Sequence, residues 1–252
     1  MLVGVPVILG IEWLVLIAMG YQGPFSSMVS ALALPPIGTS VDGNLAATLF
    51  GLAGGQIAIL GFVVVRSLFL AGLAAALVDT LELGRVTGAA GVRALRAFPV
   101  AVLVNVTGLA LLIIAGYLGV LLGPGLALLL QLAALVGGVY LFAAAPAIAA
   151  AEPRSVIDAA TRSVRAARLP GSGSLTLATL YAVPALAVAL APKPGSFIGV
   201  NPAPAAWAFA IAVNLLHTVF IATFAHRYLA MSEEVPETPA RKRRGAGEPR
   251  TR

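Results

Sequence analysis

The chain contains no cysteine, which removes disulfides, thiolate metal sites and cysteine nucleophiles at one stroke. Charge is almost as scarce: Asp, Glu, Lys and Arg make up 10% of the 252 residues, against roughly 25% in a soluble domain. Only two histidines occur, His217 and His226. Nine positions apart on one helix they face opposite sides, so they do not make a metal pair. There is no P-loop, no H-E-x-x-H and no G-x-S-x-G. Gly171-Ser-Gly173 lacks the preceding strand that a nucleotide loop needs, and Asn105-Val-Thr107 lies inside an apolar run where no glycosylation occurs. These absences predict a protein without cofactor, metal or catalytic centre, and hence not an enzyme.

What the chain has in abundance is apolar length. Hydrophobic residues make up 60% of it and the mean hydropathy is +0.98, which excludes a water-soluble fold. Ala97 to Ala151 carries no charged side chain and is interrupted only by Gly123-Pro124-Gly125, the pattern of a membrane-spanning helical hairpin. A bilayer core of about 30 Å needs about 20 apolar residues in helical form. Six stretches supply them: Leu2 to Met19, Leu45 to Val78, Pro99 to Leu122, Leu126 to Ala150, Leu175 to Leu190 and Ala205 to Met231. The expected fold is therefore all-α and integral to the membrane, with a six-span domain over 1–231. Ala31-Leu32-Ala33 resembles a signal-peptidase site, but no Lys or Arg precedes the first apolar run and Glu12 interrupts it, so the run reads as a span.

Arginine is distributed on alternate connections. Arg85, Arg93 and Arg96 lie on one, Arg154, Arg162, Arg165 and Arg168 on another, and Arg227 with Arg241-Lys242-Arg243-Arg244 in the tail. The intervening connections are bare except for Lys193. The positive-inside rule then places both termini and both arginine segments in the cytoplasm, for a multi-pass protein of the cytoplasmic membrane. The net charge of +6, 16 basic against 10 acidic residues, is a topology signal and no argument for nucleic acid. The segment 232–252, acidic, then Pro-rich, then basic, has nothing apolar to pack and is expected to be disordered.

Shifting the chain by 69 positions superposes Arg85 on Arg154, Arg93 on Arg162, Arg96 on Arg165 and Ala97 on Ala166. On a helical wheel each arginine set shares a side, opposite Val92 and Leu95 in one copy and Val156 and Val164 in the other. Both segments are predicted to be amphipathic interfacial helices whose arginines, Arg85, Arg93, Arg96, Arg154, Arg162, Arg165 and Arg168, contact anionic lipid headgroups. Asp158, four residues before Arg162, is placed for a helical ion pair. The matches fit either duplication of a unit of one amphipathic helix plus one hairpin or the shared composition of two cytoplasmic loops.

Charges at membrane depth are the residues to follow, because they cost several kcal/mol unless paired. At about 1.5 Å per residue, Glu12 and Arg66 both lie roughly 16 to 18 Å deep and suit an antiparallel ion pair, which either fixes helix register or forms a proton or substrate site. Asn214 and His217, three apart on the last span, share a face as a polar patch for interhelical hydrogen bonding or substrate coordination. Gly51 and Gly55 form a G-x-x-x-G close-packing signal.

Six spans, cytoplasmic termini and the segment Asp158-Ala-Ala-Thr-Arg-Ser-Val-Arg-Ala-Ala-Arg168 leading into a span resemble a broad prokaryotic family that includes YciC-like proteins and the membrane domain preceding some glycerophosphodiester phosphodiesterases. The resemblance covers most of the chain and implies the fold without an activity, since the phosphodiesterase chemistry belongs to a separate soluble domain. The family usually opens with a cytoplasmic amphipathic helix, and this chain opens in a span. The sequence thus predicts a non-enzymatic membrane scaffold, accessory or lipid-organising protein, with a membrane-protein partner or a second copy of itself. A small-solute or lipid transporter is the competing reading, which Glu12, Arg66, Asn214 and His217 would serve.

Overall fold

The computed structural model describes residues 55–168, 173–190 and 202–230, and places Gly10, Ile11 and Leu14 in helix. All regular structure among the described residues is α-helical: α1 Gly55–Leu83, α2 Ala89–Leu122, α3 Pro124–Phe142, α4 Ala145–Ala151, α5 Val156–Ala167, α6 Gly173–Leu190 and α7 Pro202–Ala230. Among the described residues, three apolar helices are long enough to cross a membrane: Val63–Leu83, Ala89–Gly119 and Gly125–Ala151. Glu12, Gly51 and the segment 232–252 lie outside the described residues.

The α2–α3 hairpin is made by glycine. Gly123 turns the chain at φ +100°, a conformation that side chains resist, and Pro124 opens α3 where a missing N–H costs nothing. One turn earlier, a Cβ on Gly119 would lie 2.2 Å from the Cβ of Ala127, so the two backbones meet there only because the side chain is absent. Such close approach of small residues is how helices gain packing energy in lipid, where no hydrophobic driving force operates between them.

The predicted spans are redrawn at their ends. The span expected over Leu126 to Ala150 is present as Gly125–Ala151, but its helix is interrupted at Ala143 and Ala144, where α3 ends and α4 begins. Pro146 has no N–H to give the carbonyl four residues earlier, and its ring crowds the same position. One residue before that carbonyl, in the last turn of α3, the Leu141 carbonyl accepts from Ser163 Oγ of α5 at 2.7 Å. Conversely, Pro99 does not separate the first arginine segment from its span, because α2 runs unbroken from Ala89 to Leu122. The expected interfacial helix there is the N-terminal end of a long helix, not an independent element. α5 is separate, with Ser155 as N-cap accepting from the Asp158 N–H at 3.2 Å.

Helix α4 sits in the middle, with Ala145 through Ala150 all buried, and packs against α1, α2 and α5. Around it the core joins Leu70, Leu77 and Val78 of α1, Val100 and Val104 of α2, Leu135 and Val139 of α3, Tyr181 of α6 and Phe224 and Tyr228 of α7. The opposite face of α2 is open: Leu121 is 80% exposed, and Ile114 and Tyr117 lie on the same side.

Candidate functional site

Among the described residues, polar side chains inside this apolar bundle gather in three places. The first lies among α1, α2 and α7. Arg66 is fully buried, its Nη2 donating to Asn214 Oδ1 at 3.4 Å and its guanidinium lying 5.1 Å from the centre of the Phe69 ring. Beside it Asn105 Nδ2 donates to Ser67 Oγ at 3.0 Å, and Ser67 donates to the Val63 carbonyl at 2.6 Å. Asn214 and His217 are both buried on α7, with the Tyr181 ring of α6 5.2 Å from His217. Arg66 and Asn214 are thus brought together, a pairing the sequence did not suggest.

The second place is the elbow between α1 and α2. Asp79, fully buried, accepts from the Thr87 N–H at 2.9 Å and from Thr87 Oγ1 at 2.6 Å, and stands 3.0 Å from Arg93 Nε. Arg93 also donates to Glu82 at 2.7 Å. This cluster ties the end of α1 to the start of α2 and fixes the elbow.

The third place joins α4, α5 and α7. Glu152 accepts from Tyr228 Oη and from Arg154 Nε, and Arg162 Nε lies 3.6 Å from the same carboxylate while donating to Tyr228 Oη at 2.6 Å. Burial pushes the Glu152 carboxyl up, but the hydrogen bonds from Tyr228 and Arg154 and the Arg162 charge outweigh it and hold the group below its ordinary 4.5. Next to this cluster Arg227 Nε donates to Ser174 Oγ at 3.0 Å. Tyr140, Ser163, Ser174, Phe224, Arg227 and Tyr228 line a cleft of about 20 Å³, room for about one water.

The seven arginines expected at headgroups therefore divide. Arg162, only 7% exposed, turns inward to Tyr228 and Glu152, because α5 buries the face that carries Ala159, Arg162, Ser163 and Ala166. Asp158, expected to pair with Arg162, is engaged by Ser155 Oγ at 2.6 Å. Arg93 and Arg154 bind carboxylates, while Arg85 and Arg168 are exposed and Arg96 and Arg165 half-buried. Glu152 and Tyr228 went unnoticed in the sequence, although Glu152 is the first charge after the long apolar run. Among the described residues no three His, Cys, Asp or Glu side chains are grouped to hold a metal. Compared with protein families, curated proteins and solved structures, the chain matches none of them.

Proposed function

We propose that this protein is a non-enzymatic multi-pass component of the cytoplasmic membrane, threaded six times with both termini inside. It scaffolds or assists a membrane-protein partner, or a second copy of itself, and orders lipid at the inner leaflet. The observation that carries the reading is that the polar groups at membrane depth are engaged with one another: Arg66 with Asn214 across α1 and α7, and Ser67 with Asn105 across α1 and α2. Groups bonded in this way hold helices together.

A transporter is the second reading, favoured by a buried cation and His217 at neighbouring levels of the bundle. The two are separated by reconstituting the protein in liposomes and comparing it with Asn214→Leu. Removing the acceptor of a bond from a buried charge is expected to cost about 1.5–3 kcal/mol, read as a lowered thermal midpoint, with no solute uptake in either protein. Uptake that Asn214→Leu abolishes while the midpoint stays put would establish transport.

A further inference from the structure

The exposed face of α2 does not stop where the charge-free sequence begins. Leu103, Val106, Ile113, Tyr117 and Leu121 recur at helical spacing as the open stripe, and Val92, Leu95 and Arg96 continue it backward on the same side, so Arg96 does not lie opposite Val92 and Leu95 as the arginine pattern predicts. Val92 is 61% and Leu95 74% exposed, and Leu83 and Val86 add two further exposed side chains at the tip of the elbow. At about 1.5 Å per residue the 34 residues of α2 reach about 51 Å, well beyond a hydrocarbon core of about 30 Å, so this end stands at headgroup level.

Charge on the elbow is divided in a telling way. Asp79 and Glu82 both face Arg93, whereas Arg85 and Arg96 form no ion pair among the described residues. Three arginines against two carboxylates leave the elbow positive. The Thr87–Asp79 clasp holds the apolar tip rigid, so these side chains are displayed without a new ordering cost.

We infer that the α1–α2 elbow is a docking surface for anionic phospholipid, with Arg96 at the lipid phosphate, Arg85 further out toward the headgroup, and Leu83, Val86, Val92 and Leu95 packing between headgroups at the interface. The surface is continuous with the lipid-facing stripe of α2, and its two free cations complement an anionic leaflet. It rests on the membrane reading above and gives the lipid-ordering part of it a place and a headgroup class. The second arginine segment is not equivalent, because its Arg162 is turned into the bundle.

The test uses the full chain in phosphatidylcholine vesicles holding a minor fraction of phosphatidylglycerol, with spin-labelled lipid reporting which species borders the protein. Phosphatidylglycerol is expected to be enriched over phosphatidylcholine, the enrichment to fall about fivefold per arginine in R85Q/R96Q, and R85K/R96K to keep most of it. Equal enrichment of the two lipids, or unchanged selectivity in inserted R85Q/R96Q, overturns the proposal. A nitroxide on L95C is expected in lipid, and efficient cross-linking of L95C between copies would assign the surface to self-association instead. Loss of the wild-type protein from vesicles on alkaline washing would overturn the membrane reading itself, a result distinct from lost headgroup selectivity.

Discussion

Arg162 and Arg93 occupy matching positions in the two arginine segments, and each spends its charge on a carboxylate from the preceding helix end. Glu152 makes this bond sensitive to acid. Its carboxyl is held below the ordinary 4.5, so its contribution to stability is in place above 4.5 and lost as pH falls through the folded-state value. Glu152→Gln is therefore expected to melt lower than the wild type at neutral pH, with the gap closing on acidification; a gap that persists in acid would mean that charge is not what binds Glu152. At this scale the sequence was partly legible. Arg66, Asn214 and His217 were conspicuous because a polar group at membrane depth must have a reason to be there. Tyr228 was not, because it earns its role from Glu152, 76 positions away, and nothing local announces such a partner.

Elements were legible in kind and misjudged at their ends. Apolar length and arginine placement named α2, α3, α6 and α7, and Gly123 named the hairpin turn. The two prolines behaved oppositely for a physical reason. At Pro99 the carbonyl deprived of its donor belongs to Leu95, which is exposed near the polar edge of the bundle, so the helix carries on. At Pro146 the corresponding carbonyl belongs to Phe142, beside the buried α4, and the helix breaks. Gly119 gives a sharper expectation. Gly119→Ala puts a methyl 2.2 Å from Ala127 Cβ and must force α2 and α3 apart, at a cost of about 1–3 kcal/mol. Gly125→Ala, with nothing within 4 Å, is expected to be tolerated. Equal thermal midpoints for the two variants would show that the hairpin does not pack as described.

For the whole molecule, the decisive property is sidedness. The absence of cysteine makes single-cysteine labelling clean, and an impermeant thiol reagent is expected to reach V86C and R168C from one face of the membrane and L122C from the other. Labelling V86C and R168C from opposite faces would end the six-pass threading. Within such a bundle the break at Pro146 has a consequence of its own. A spanning rod with every carbonyl satisfied has nothing to offer a neighbour except shape, and two such rods can slide along each other. Beside the interruption the Leu141 carbonyl accepts from Ser163, and α5 is thereby assigned a fixed height along α3. An irregularity in one helix serves as a notch for the next, so repairing it toward an ideal rod would loosen the assembly it perfects locally.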